Sequence, residues 1–139
     1  RRGAEQLAER WEVFSAAARA LTAHPDPEHL HRTRIAGKKL RYLVELLEGC
    51  GLPGADAILK WVRKVQTAFG DWLDEGMLKG ALVAMIPDQL DKGRILLTLI
   101  QQSDRRAQKL LTASLARLTD PEMDRVNALI ATEIARLQG

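Results

Sequence analysis

Leu7, Trp11, Phe14, Ala18 and Leu21 recur at intervals of three and four residues, with charged and small side chains between them. That spacing sets apolar groups on one face of a 3.6-residue turn and predicts an amphipathic helix over 4–23. The string AHPDP breaks it. Asp26 suits an N-cap, Pro27 the first helical position, and Glu28 the positive end of the helix dipole. The second helix then runs to about Glu48, where GCGLPG closes it. A third starts near Ala55 with Ile58, Trp61, Val62, Val65 and Phe69 as its apolar face. Trp72, Leu73, Met77 and Leu78 keep the same period past Gly70, so this helix is expected to continue to Ile86. Pro87 and Asp88 punctuate. QLDKGRILLTLIQQSDRRAQKLLTASLARL predicts one long helix ending near Leu118. Asp120 and Pro121 begin a last helix ending near Leu137. No strand alternation stands out. The pattern predicts an all-α, antiparallel bundle of about five to six helices in a single domain over 1–139.

Composition adds the nature of the core. Of 139 residues, 46% are hydrophobic but only 4% aromatic, so the interior is built mainly of Leu, Ala, Ile and Val. The single cysteine, Cys50, rules out an intrachain disulfide and fits a reducing, cytoplasmic setting. No apolar run is long enough to cross a bilayer, and the opening RR leads into GAEQLAERWE rather than an apolar leader core.

Charge changes the picture more. The net charge is +3, from 21 Lys/Arg against 18 Asp/Glu. Five of the cations fall within residues 31–42, where there is no acid; the remaining 16 face all 18 carboxylates. The excess positive charge therefore sits in one short segment, which points to an anionic partner. At roughly 100° per residue, His31, Arg34, Lys38 and Arg41 share an arc of about 80° on the second helix. Ala36, Leu40, Leu43, Val44 and Leu47 lie opposite. Successive cations climb about 4.5–6 Å, a ladder suited to a linear anion with regularly spaced charges. Arg offers a planar fork to phosphate oxygens, Lys a point charge, and His a donor when protonated. The competing view is an ordinary solvated helix face. Arg32 and Lys39 lie elsewhere on the wheel. Lys60, Arg63 and Lys64 form a basic arc on the third helix that would widen the stripe if the two helices make a hairpin.

The segment LHRTRIAGKKLRYLVEL resembles the CHAD family of α-helical domains named for a characteristic histidine. The shared pattern is His-x-x-Arg-[Ile/Val]-x-x-Lys-[Lys/Arg]-Leu-Arg-Tyr-x-x-Glu. It falls on His31, Arg34, Ile35, Lys38, Lys39, Leu40, Arg41, Tyr42 and Glu45. LKWVRKVQTAFGDWLDEGML is similar to a second family stretch through Gln66, Gly70 and Asp74, with Val65 and Phe69 where leucines are usual. The resemblance spans about 25–118, leaving 4–23 and 121–138 as flanking helices. It implies a non-catalytic domain, without a cofactor, that binds inorganic polyphosphate and associates with polyphosphate granules. Joined to the wheel, this gives His31, Arg34, Lys38 and Arg41 as the expected main contacts, with Lys39, Lys60 and Lys64 as lesser ones. A full domain of this family is a tandem of two similar halves. One motif copy is visible, resembling the second half, in a chain whose first residue is Arg rather than Met. The chain is thus either a piece of a tandem or a single repeat expected to form a homodimer that rebuilds the two-repeat arrangement.

Other chemistries find less support. His29 and His31 are two apart and point to different sides of a helix, against a shared metal site. Asp71, Asp74 and Glu75 could hold Mg²⁺ but suit a solvated or structural face. The glycines at 49, 51 and 54 lack the Lys-Ser/Thr of a phosphate loop. The same stripe could track a nucleic-acid backbone, although no helix-turn-helix pattern, stacking aromatic set or basic tail accompanies it. It could equally pair with the acids of a partner protein. The apolar RILLTLI run marks its helix as either core or dimer seam, with the seam preferred.

Overall fold

The computed structural model describes residues 2–139, and among these it contains five α-helices and no strand. They are α1 (Arg2–Ala23), α2 (Pro27–Gly49), α3 (Ala55–Met85), α4 (Gly93–Ala116) and α5 (Asp120–Gln138). The expected all-α bundle is what forms, with helix limits within two residues of expectation except at the start of α4.

Each boundary has a local cause. Asp26 is extended (φ −125°, ψ 167°), and its carboxylate accepts the His29 backbone N–H at 2.8 Å. That bond, more than the adjacent His29 ring, holds the Asp26 carboxyl below its ordinary value. The end of α2 closes as a Schellman turn. Gly51 takes φ +88°, its N–H bonds the Glu48 carbonyl at 2.9 Å, and the Leu52 N–H reaches the Leu47 carbonyl at 3.0 Å. Helix α3 passes through Gly70 unbroken, as the period of its apolar face predicts.

The single long helix expected over about 88–118 is not formed at its start. Two 3₁₀ turns, Ile86–Asp88 and Leu90–Lys92, precede α4. Pro87 has no N–H to continue the α-helical ladder. The chain instead makes short-range bonds from Gln89 N–H to Ile86 and from Lys92 N–H to Gln89. These tighten the turn and reverse its direction.

From α1 to α4 each helix runs antiparallel to the one before it. The Thr33 hydroxyl reaches the Ala17 carbonyl, and Arg10 donates to the Lys39 carbonyl at 3.0 Å, setting α2 against α1. Gln66 bonds the Arg34 carbonyl at 3.3 Å, setting α3 against α2. Glu75–Arg106 and Lys79–Asp104 pairs tie α4 to α3. Helix α5 continues the return path begun by α4 and closes on α1 and α3, where the Trp11 indole donates to Asn127 Oδ1 at 2.8 Å. The core lies among α1, α2, α5 and the first half of α3. Phe14, Leu21, Leu40, Val62 and Ile130 are buried within it, and Trp11, Phe14 and Trp61 meet with ring centroids 5.7–5.9 Å apart. At 31 residues α3 is about 46 Å long, against about 34 Å for α2. Beyond Phe69 it buries no residue fully and pairs with α4 as an apolar arm.

Candidate functional site

Helix α2 buries Thr33, Ala36, Gly37, Leu40, Leu43, Val44 and Leu47, and this choice of inner face turns the basic stripe outward. His31 and Lys38 are exposed; Arg34 and Arg41 lie half-buried along the edge where α2 meets α3. The two helices approach closely at Gly37. A Cβ there would stand 2.5 Å from Gln66 Oε1, so glycine lets α3 bring Gln66 under the stripe. Gln66 then anchors the Arg34 backbone through its side-chain amide.

The stripe is poor in acceptors. Among the described residues His31, Arg34, Lys38 and Lys39 form no ion pair. Arg34 and Arg41 each have a buried Nε with no hydrogen-bond partner. Glu45 is the one carboxylate in contact. Its Oε1 stands 3.5 Å from Arg41 Nε, at the outer limit of hydrogen-bond distance, and 3.8 Å from Arg63 Nη2 on α3. The Arg41 guanidinium also lies over the Tyr42 ring, 5.0 Å from its centroid, where a cation gains from the ring quadrupole. A face with several cations, one half-shared acid and two orphaned guanidinium donors has capacity for an anion with many oxygens.

The lesser contacts named from sequence are placed apart. Lys39 lines a groove between α1 and α2 with Glu9 and Arg10, away from α3. Lys60 pairs with Asp56 at 3.1 Å on the first turns of α3. Lys60 and Lys64 border a cleft of about 230 Å³ between α3 and the α4–α5 junction, together with Arg117 and Arg125. The cation joined to the stripe is instead Arg63, through Glu45. Periodicity placed Arg63 within the same arc as Lys60 and Lys64 but could not choose among them. That choice depends on the rotation of α3 against α2, which is set by Gln66 and Gly37. Arg117 and Arg125 carried no motif; the TDPE break between them was the available signal.

His29 and Glu75 have structural partners. His29 Nδ1 lies 2.7 Å from Asp26, and its ring sits 5.5 Å from that of His24. Hydrogen bonds from Ser103 and Arg106 hold Glu75 below the usual carboxylate range and join the two helices of the arm. Among the described residues no three His, Cys, Asp or Glu side chains gather as metal ligands, and no helix is long and apolar enough to cross a membrane.

No curated protein and no solved structure matches the chain. The family model for the CHAD domain matches residues 1–83. The match begins with α1, which the motif-based span of 25–118 left as a flank, and stops within α3. Because it covers more than half of the sequence and contains the whole basic stripe, the chain belongs to the CHAD domain family.

Proposed function

We propose that this domain binds inorganic polyphosphate without transforming it, through His31, Arg34, Lys38 and Arg41. The observation that carries the reading is the run of cations on α2 that no acid answers, exposed His31 and Lys38 with half-buried Arg34 between them. Membership of a family that binds polyphosphate supplies the ligand class. Arg63 adds a cation from α3 next to the stripe. Lys39, Lys60 and Lys64 serve as outlying contacts for a chain long enough to leave the stripe. Binding is electrostatic, and counterion release makes it weaken with salt. In a cell the domain would reside where polyphosphate collects, in cytoplasmic granules.

The single motif copy leads to a second copy of the chain as partner. The apolar arm supports this: Met77, Leu78, Ile95 and Leu97 are exposed on α3 and α4. A two-fold dimer would bring two stripes onto one polyanion and raise affinity through effective concentration. The ligand class is tested by competition. Labelled long-chain polyphosphate is bound to the protein and challenged with DNA or RNA at equal phosphate concentration. Retention of polyphosphate is expected. Displacement by nucleic acid would make the stripe a general backbone tracker, and failure to bind either would leave the acids of a partner protein as its counterpart.

A further inference from the structure

The cleft at the α4–α5 junction repeats the chemistry of the stripe in a more enclosed form. Of its four cations, Lys60 is paired with Asp56, and Arg125 holds Glu122 through Nη2 at 2.9 Å and Nε at 3.4 Å. Lys64 and Arg117 have no ion pair among the described residues, and both line the cleft. Trp61 lines it too. That residue is only 4% exposed; its buried indole Nε1–H makes no short hydrogen bond but acts on the Glu122 carboxylate, which it helps to hold charged. The cleft beside it, about 230 Å³, is large enough for an oxyanion.

The neighbouring helix end adds to the field. Asp120 opens α5 here, and Thr119 before it makes no side-chain cap bond, so first-turn N–H groups of α5 remain without a side-chain acceptor. Glu122 is the opposing charge. Arg125 chiefly, with smaller contributions from Trp61 and Arg117, holds its carboxyl below the ordinary range. Glu122 is thus a charged member of the wall, engaged by Arg125 and more weakly by Trp61 and Arg117, while Lys64 stays available.

The cleft is also connected to the stripe. Lys64 and Arg117 line a second, open groove with Arg63 and Asp71, and Arg63 shares Glu45 with Arg41 of the stripe. Only Asp71 interrupts the positive line along this groove, and it makes no ion pair with Lys64 or Arg117.

We propose that the Trp61–Lys64–Arg117 cleft is a second oxyanion subsite, reached from the α2 stripe over Arg63, that seats a phosphoryl group of the same linear polyphosphate. The inference rests on the polyphosphate reading. It extends that reading to Arg117 and the α4–α5 break, outside residues 1–83 of the family match. One polyanion then crosses α2, α3 and the start of α5 rather than lying along α2 alone.

Two measurements test it. The indole N–H signals of ¹⁵N-labelled protein, assigned with single Trp→Phe variants, are followed while tripolyphosphate is added. The Trp61 signal is expected to shift in a saturable way. The Trp11 signal should stay in place, because that indole already donates to Asn127. In parallel, affinity for long-chain polyphosphate is measured against salt for the wild type and for Lys64→Gln/Arg117→Gln. The variant should bind more weakly, with its log–log salt slope shallower by about 1 for each cation removed. In a wild type that binds, a stationary Trp61 signal would overturn the subsite and leave the stripe standing, as would a folded double variant with an unchanged slope. A wild type that does not bind polyphosphate would overturn both. The indole titration uses the unaltered chain, so it decides the question even if the double variant folds poorly.

Discussion

Arg34 joins structure to the proposed binding in one residue: its carbonyl is held by Gln66 while its Nε–H is left without an acceptor. Gly37 makes this possible. Gly37→Ala would drive Gln66 off its place, since the new Cβ would stand 2.5 Å from Oε1. The expected cost is about 1–2 kcal/mol, for a lost hydrogen bond and a displaced half-buried amide, read from urea unfolding. Gly51→Ala places a Cβ at φ +88° and should cost about 1–2 kcal/mol by the same measurement, although nothing lies within 4 Å of that Cβ. Asp26 supplies a pH-dependent contribution. Its folded pKa is lowered, so the stabilisation is present above the ordinary aspartate value of 3.8 and fades as pH falls through the depressed folded value. An Asp26→Asn variant should flatten that acid limb of the stability profile while keeping a neutral cap. At this scale the motif residues were legible because helical spacing alone puts His31, Arg34, Lys38 and Arg41 on one arc. The partnership of Arg63 with the stripe was not, because it depends on how two helices are rotated against each other.

Helix α2 carries two faces with separable roles. Leu40 is fully buried, and Leu40→Ala should cost about 2–5 kcal/mol through lost transfer energy and a residual cavity. Lys38 is exposed and unpaired, so Lys38→Ala should change stability by no more than about 0.5 kcal/mol. Parallel denaturation curves of the two variants check the division. The continuity of α3 through Gly70 was readable because its apolar period does not slip there, and the space around Gly70 is open enough that no break is needed. The start of α4 was misjudged because Gln89–Lys92 looks permissive in composition. The missing N–H of Pro87 tightened the turn before the helix could begin.

For the whole molecule, the imbalance between core and arm is the main finding. Four elements share one interior, whereas α4 packs chiefly on α3 and leaves Ile95, Leu97 and Leu99 at the surface. Apolar surface gathered on one projecting unit is the pattern of an interface. Light scattering of the wild type is expected to give twice the 15.5 kDa chain mass, and Leu97→Glu/Ile95→Glu the single-chain mass. A wild type that stays monomeric with and without polyphosphate would remove the dimer and keep the stripe. The fold class was legible from periodicity throughout. The cleft at the α4–α5 junction was not, because it joins Trp61 and Lys64 to Arg117 and Glu122, two local pairs that lie far apart in sequence and share no motif.

The central claim is that the unmatched cations of α2 hold polyphosphate. It is tested most directly by measuring long-chain polyphosphate affinity across a salt series for the wild type and for Arg34→Ala/Lys38→Ala, with far-ultraviolet dichroism and melting confirming an intact bundle in both. The account predicts a folded double variant that binds more weakly, with a log–log salt slope shallower by about 2. A folded double variant with wild-type affinity and slope would contradict it and move the site off α2.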